Sequence, residues 1–203
     1  METIAVIDFE TTGLSPNQGD RATEIAIALV QDGQIIDRYQ SLMNAGVSVP
    51  AFITEYTGIS NAMVRKAPKA DIVMREAADF VGNHPLIAHN ASFDCKFWDA
   101  ELKRIGRERQ KKFACSMLLA RRIYPDAPNY KLGSLVNFLG LPVTGRFHRA
   151  MADTEMATSL MLSIEREIIR RFKISQVSHD LCVAMQKAAK AKLDSCVARY
   201  SRG

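Results

Sequence analysis

Ile4-Ala5-Val6-Ile7-Asp8-Phe9-Glu10-Thr11-Thr12-Gly13-Leu14 is an apolar, β-branched run into which two acids intrude just before a turn. Residues 4–9 have the composition of a short buried strand, and Thr12-Gly13-Leu14-Ser15-Pro16 supplies the turn that closes it. Asp8 and Glu10 stand at i and i+2, so the pleat projects both carboxylates from the same face of the sheet. Neighbouring anions repel. Crowding them inside a protein costs on the order of several kcal/mol or forces protonation, so the pair needs either water at the strand end or a bound cation.

Outward from this strand, residues 23–30 and 34–42 flank Asp32-Gly33, a hairpin signal, and the first three strands are expected to form an antiparallel meander. Helical spacing follows over 51–56, 60–66 and 71–81, the last with Asp71 as its cap and Ile72, Met74, Ala78 and Val81 as its apolar stripe. Residues 85–88 return to a short buried strand. A helix over 93–105 carries apolar Phe93, Phe97, Ala100 and Leu102 and ends at Gly106. A strand at 113–115, helices at 116–123 and 132–139 and a long helix at 150–172 complete an α/β layered domain with a mixed sheet.

At 203 residues, with 47% apolar and 24% charged residues, the chain fits one domain with a short appendage: 1–172, then a basic helical extension over 173–203. Its longest apolar run is far shorter than the ~20 residues that cross a bilayer, and Met1-Glu2-Thr3 lacks a basic leader, so a cytoplasmic protein with no membrane association is expected. Cys95, Cys115, Cys182 and Cys196 lie too far apart to suggest a zinc site. The net charge of +5 hides a division, since residues 1–95 are acidic and residues 96–149 hold 12 Lys/Arg against 4 Asp/Glu. Such a basic stretch is either a solvated face or a track for phosphates.

Two further acids open helices. Asp94 ends His89-Asn90-Ala91-Ser92-Phe93-Asp94, and Asp153 ends His148-Arg149-Ala150-Met151-Ala152-Asp153, with His148 five residues before it. Asp8, Glu10, Asp94 and Asp153 together form an oxygen-rich donor set that suits hard cations, Mg²⁺ or Mn²⁺, rather than zinc.

These three segments, with Lys131-Leu132-Gly133-Ser134-Leu135 ahead of the third, resemble the exonuclease motifs of the DEDDh 3′–5′ exonuclease superfamily, over roughly residues 4–170. The similarity extends to the epsilon proofreading subunit of bacterial DNA polymerase III and its stand-alone relatives. The resemblance implies a ribonuclease H-like fold, a central mixed five-stranded sheet flanked by helices. It implies two divalent cations, Asp8 bridging both, Glu10 and Asp153 completing the shell of one and Asp94 holding the other, with His148 as general base. Near neutral pH an imidazole can take a proton from an attacking water. It further implies that Thr11, Thr12, Gly13 and Leu14 line the pocket for the terminal nucleotide, with Leu14 as a wedge, and that Glu24, Asn90 and Phe93 contact substrate. One departure is Thr57, which stands in Tyr56-Thr57-Gly58-Ile59 where the family commonly has histidine.

The expected activity is removal of nucleoside 5′-monophosphates from the 3′ end of single-stranded or frayed DNA. Exoribonuclease trimming of RNA and a non-catalytic nucleic-acid or polymerase-binding module are the alternatives. Residues 173–203 either pack on the domain or dock a polymerase or repair partner; Gln176-Val177-Ser178-His179-Asp180-Leu181 resembles sliding-clamp ligand peptides, with His179 at a position that favours an apolar residue.

Overall fold

The computed structural model describes residues 2–143 and 148–200. Arg146 of the basic segment and the end of the tail therefore lie outside the described residues. Strand β1 (Ile4–Thr11) occupies the middle of a five-stranded sheet of order β3-β2-β1-β4-β5. β2 (Ala22–Gln31) and β3 (Gln34–Leu42) continue from it as the expected antiparallel meander. Asp32 at φ 50° and Gly33 at φ 77° provide the two left-handed residues of the hairpin. β4 (Leu86–Ala88) and β5 (Phe113–Cys115) run parallel to β1 and are only three residues each.

The pleat of β1 divides the molecule. Ala5, Ile7 and Phe9 join the first core with α3 (Ala70–Val81) and α4 (Ser92–Arg104), which covers that face through Val73, Met74, Phe97 and Leu102. Val6 points the other way, into a core built by α5 (Ser116–Ile123), α6 (Leu132–Phe138) and α7 (Ala150–Phe172). Each fully buried Ile or Leu in these layers contributes roughly 2 kcal/mol by leaving water. Asp8 and Glu10 continue the side that Val6 begins, so they emerge beneath the start of α7. Two short helices, α1 (Ala51–Thr57) and α2 (Asn61–Lys66), close over a small cluster of Val49, Ile59 and Val64.

Two local expectations are corrected. The N-cap of α3 is Lys69, which makes no side-chain capping bond, and Asp71 lies in the first turn. The buried stripe is Val73, Met74, Ala77 and Val81, while Ile72 is 47% exposed. The two stripes share Met74 and Val81, and packing on the sheet selects Val73 and Ala77 in place of Ile72 and Ala78. In α4 the inward face is Phe97, Trp98 and Leu102 with two acids, Asp94 and Glu101. Glu101 is buried because Arg21 forks onto it at 2.7 and 2.8 Å, tying the β1–β2 connection to α4.

The tail packs inward. After α8 (His179–Met185), a short turn leads to α9 (Leu193–Tyr200), and both helices share the second core. Val177, His179 and Leu181 are buried, so the peptide that resembles a clamp ligand faces the interior instead of a partner. His179 bonds the Leu86 carbonyl at 2.9 Å, which explains a histidine where an apolar residue was expected. Gln186 covers edge strand β5, its Oε1 accepting from the Cys115 amide at 2.6 Å and its Nε2 donating to the Phe113 carbonyl at 3.3 Å. Gln186→Ala leaves both groups buried and unpaired, and is expected to cost about 2 kcal/mol in urea unfolding; an unchanged midpoint would show that water replaces the amide.

Candidate active site

Asp8, Glu10 and Asp153 each offer one carboxylate oxygen, and these oxygens lie within 4.8 Å of one another. β1 delivers the first two and the opening turns of α7 deliver the third. Asp94 adjoins them from the first turn of α4. Because β4 is so short, its pairing with β1 stops at Val6, and the Phe9 amide beyond it donates to Asp94 Oδ1 at 3.2 Å. A side chain thereby replaces a missing rung of the sheet and is fixed beside Asp8.

His148 precedes α7 in a left-handed conformation, φ 63°, which is uncommon outside glycine. Its amide donates to Asp153 Oδ2 at 2.9 Å. Its imidazole packs on Tyr56 of α1, with ring centroids 3.8 Å apart and planes inclined by 30°. Behind this turn sits Glu24, opposite Glu10 in the β1–β2 register and only 1% exposed. Glu24 accepts from Arg149 at 3.1 and 3.3 Å, from the Ala150 amide at 3.3 Å and from Gln40 at 2.8 Å. It locks the first residue of α7 to β2 and so sets where His148 and Asp153 can stand.

The acids face an open cleft of about 1050 Å³, lined on one side by Thr11, Gly13, Leu14, Tyr56, Asn90 and Phe93. Leu14 is 77% exposed at its rim. Thr12 and Glu24, expected at the pocket, point elsewhere. The Thr12 hydroxyl accepts from the Arg21 amide at 3.0 Å, bracing the turn, and the Glu24 carboxylate is consumed by the bonds just described. Gly13 is required for packing: a β-carbon there would meet the Asp20 carboxylate at 2.4 Å, and Asp20 holds the Ser15 amide.

The basic segment divides. Arg121 and Lys131 reach the cleft, and Lys96 lies beside it on the Leu14 carbonyl, whereas Arg107, Arg109 and Lys111 line a separate cavity near the start of β4. Tyr56, Arg121 and Lys131 are cleft residues to which the sequence assigned no individual role, although Tyr56 adjoins Thr57-Gly58-Ile59, Lys131 opens the segment ahead of the third motif and Arg121 lies in the basic stretch. His89, although in the second segment, lies between Ser116 and the Tyr130 carbonyl at 3.0 Å each. A carbonyl only accepts, so Nε2 carries the proton, and burial lowers the ring to about 4. It is a neutral strut.

Burial and mutual repulsion hold protons on the acids. Burial, then the charges of Asp153, Glu24 and Asp94, raise Glu10 to about 8; burial raises Asp94 to about 7 against the pull of the Phe9 amide. Asp8 is driven well above the usual carboxylate range by burial and then by Asp94, Glu10 and Asp153. Four hard oxygen donors that resist ionisation together fit a divalent cation, whose charge removes that resistance.

A family model described as an exonuclease matches residues 5–161. The PolC-type DNA polymerase III of Bacillus cereus is 37% identical over 171 residues, 84% of this chain and 12% of the polymerase. The 3′–5′ exonuclease DinG of Bacillus subtilis is 36% identical over 163 residues, 78% of this chain and 17% of DinG. The chain thus spans less than a fifth of these relatives. Among solved structures, Exonuclease X in complex with 5′ overhanging duplex DNA superposes with a TM-score of 0.70 and 26% identity, covering 90% of this chain and 99% of that one. Escherichia coli Exonuclease I with a dT13 oligonucleotide gives 0.73 at 15% identity, covering 85% and 43%, a likeness of fold.

Two outcomes are expected. Acids whose folded values are raised favour the fold while protonated, so cation-free stability is complete below about pH 4 and drains away up to about pH 8. The thermal midpoint in chelator should fall over that range, and Mg²⁺ or Mn²⁺ should raise it more at pH 8 than at pH 6; equal increments would refute a cation in this cage. Glu24→Ala should destabilise by on the order of 2–3 kcal/mol and lower kcat with KM nearly unchanged. A raised KM with intact kcat would return Glu24 to substrate binding.

Proposed function

Since this chain belongs to the DEDDh type of the exonuclease family, we propose that it hydrolyses the last phosphodiester bond at the 3′ end of single-stranded or frayed DNA. The observation that carries this reading is the convergence of Asp8, Glu10 and Asp153, with Asp94 adjoining and His148 at the rim, on the floor of a cleft open enough for a strand end.

Asp8, Glu10, Asp94 and Asp153 would hold two divalent cations, Mg²⁺ or Mn²⁺, which when bound neutralise the phosphate and stabilise the attacking and leaving oxygens. The chain's own residues do the rest. His148 accepts a proton from the attacking water as its oxygen joins phosphorus. The bond to the 3′ oxygen of the upstream nucleotide breaks, that oxygen taking a proton from solvent water to leave as a 3′-hydroxyl, and the terminal residue departs as a nucleoside 5′-monophosphate. The exposed Leu14 and the Phe93 ring flank the terminal base, and Thr11 and Asn90 lie beside its sugar. Gly13 keeps the adjoining turn tight. Arg121, Lys131 and Lys96 draw the phosphates along the cleft.

The chemistry belongs to residues 1–172, and the extension over 173–203, whose described helices α8 and α9 pack on the domain, can also meet a polymerase or repair partner in the cytoplasm. The PolC-type and DinG relatives support that setting.

Strands labelled at the 5′ end, of DNA and of RNA, with free or blocked 3′ ends, test the reading in Mg²⁺ or Mn²⁺. Stepwise ladders on free DNA ends, lost with the 3′ block and reduced on the order of a thousand-fold in Asp8→Ala, are expected. Ladders indifferent to the block would overturn the direction, faster turnover of RNA would move the substrate to RNA, and no cleavage would leave a binding module.

A further inference from the structure

We propose that Tyr56 is the positioning residue for His148, its ring acting as a shelf that holds the imidazole over the acid cage. The inference rests on the reading of His148 as the base. Among the described residues the imidazole makes no hydrogen bond, and its ring contact is Tyr56, centroid to centroid 3.8 Å at 30°. The His148 backbone is fixed by its amide bond to Asp153 and by the clamp of Glu24 on the following residues. What these bonds leave free is rotation of the side chain, and a half-buried histidine with no packing partner otherwise samples several rotamers.

Tyr56 is suited to the task because its own base is firm. It sits in the last turn of α1, where Gly58 at φ 77° stops the helix and Thr57 is buried, its hydroxyl donating to the Ile53 carbonyl at 2.9 Å and accepting from the Ile59 amide at 3.1 Å. Asn61 fastens the adjoining segment by bonding both the amide and the carbonyl of Val49 at 2.8 Å. Yet Tyr56 itself is 57% exposed, so its ring is not there to fill a core. The chain thus presents an aromatic face on a rigid support, with the imidazole lying on it and the carboxylates beyond. Thr57, at the position where the family commonly has histidine, anchors the support, and the residue beside it makes the contact.

A stacked pair of this kind biases the side chain enough to shift the productive fraction severalfold. Tyr56→Ala should therefore lower kcat about three- to tenfold with KM within twofold, and Tyr56→Phe should restore kcat to within about twofold. The same loss should appear with the p-nitrophenyl ester of thymidine 5′-monophosphate, a substrate with no upstream base. Exposure of the ring predicts an unchanged thermal midpoint, and Tyr56→Leu, which keeps the volume without the aromatic face, should behave like Tyr56→Ala. A loss confined to oligonucleotides and expressed in KM would make Tyr56 a base-stacking residue, and an equal loss in Tyr56→Phe would assign the effect to the hydroxyl; either overturns the inference. His148→Ala separates the two readings: if it is inactive while Tyr56→Ala is fully active, only the positioning role fails, and if it is active the base assignment fails.

Discussion

Negative charges drawn together against their own repulsion are the constraint to which the rest of this molecule answers. At separations of no more than 4.8 Å within the Asp8, Glu10 and Asp153 cluster, each pair of ionised carboxylates repels by about 3.5 kcal/mol or more at an effective dielectric constant of ~20. A hydrogen bond returns about 1 kcal/mol net, so no single contact could hold the cluster closed. The fold holds it by many. β1 cannot withdraw from the middle of the sheet, Asp94 is taken into the sheet's own bonding by Phe9, and Asp153 is tethered to the backbone of His148. The remaining repulsion is relieved by protons or by cations, which is why such a centre is responsive to both.

The same constraint explains the ion pairs around the site, each joining a buried glutamate to a partly exposed arginine. Arg21 on Glu101 and Arg149 on Glu24 lie at two corners of the cluster, where they fasten α4 to the first turn and α7 to β2. Neither pair is a strong argument for stability, since stripping water from both partners offsets much of their attraction. Their value is positional. Each joins the element that carries an acid to the strand pair that carries the others.

Much of this was legible in the chain. Asp8 and Glu10 stand out because carboxylates are rare in a β-branched strand, and the acids that open α4 and α7 stand out because each follows a recognisable start of a helix. The hairpin at Asp32-Gly33 and the long periodicity of α7 carry their own local physics. What was hidden depends on distance in the polypeptide. Glu24 reads as a substrate contact until Arg149, 125 residues on, is folded onto it. Thr12 reads as part of a pocket until Arg21 turns back to it. The stripe of α3 keeps Met74 and Val81 of the expected one but takes Val73 and Ala77 in place of Ile72 and Ala78, because local spacing permits either choice and only the sheet beneath decides. Tyr56 has no chemical signature in one dimension, since an aromatic residue at a helix end is ordinary until an imidazole lands on it.

The short outer strand β5 bears on the molecule's dealings with its neighbours. An open sheet margin invites foreign backbone to zip alongside it, and here the amide of Gln186 occupies both the donor and the acceptor that such an intruder would need. Entry on that side requires prising away α8, together with the histidine grip on Leu86. The opposite margin, β3, carries exposed or half-buried side chains, and two of its backbone groups are taken locally, the Asp37 carboxylate accepting from the Arg38 amide and the Ser41 hydroxyl donating to the Leu42 carbonyl, each at 2.8 Å. The two rims therefore meet a strand-forming visitor differently, one blocked by a residue at the end of a core helix and the other only by short local bonds.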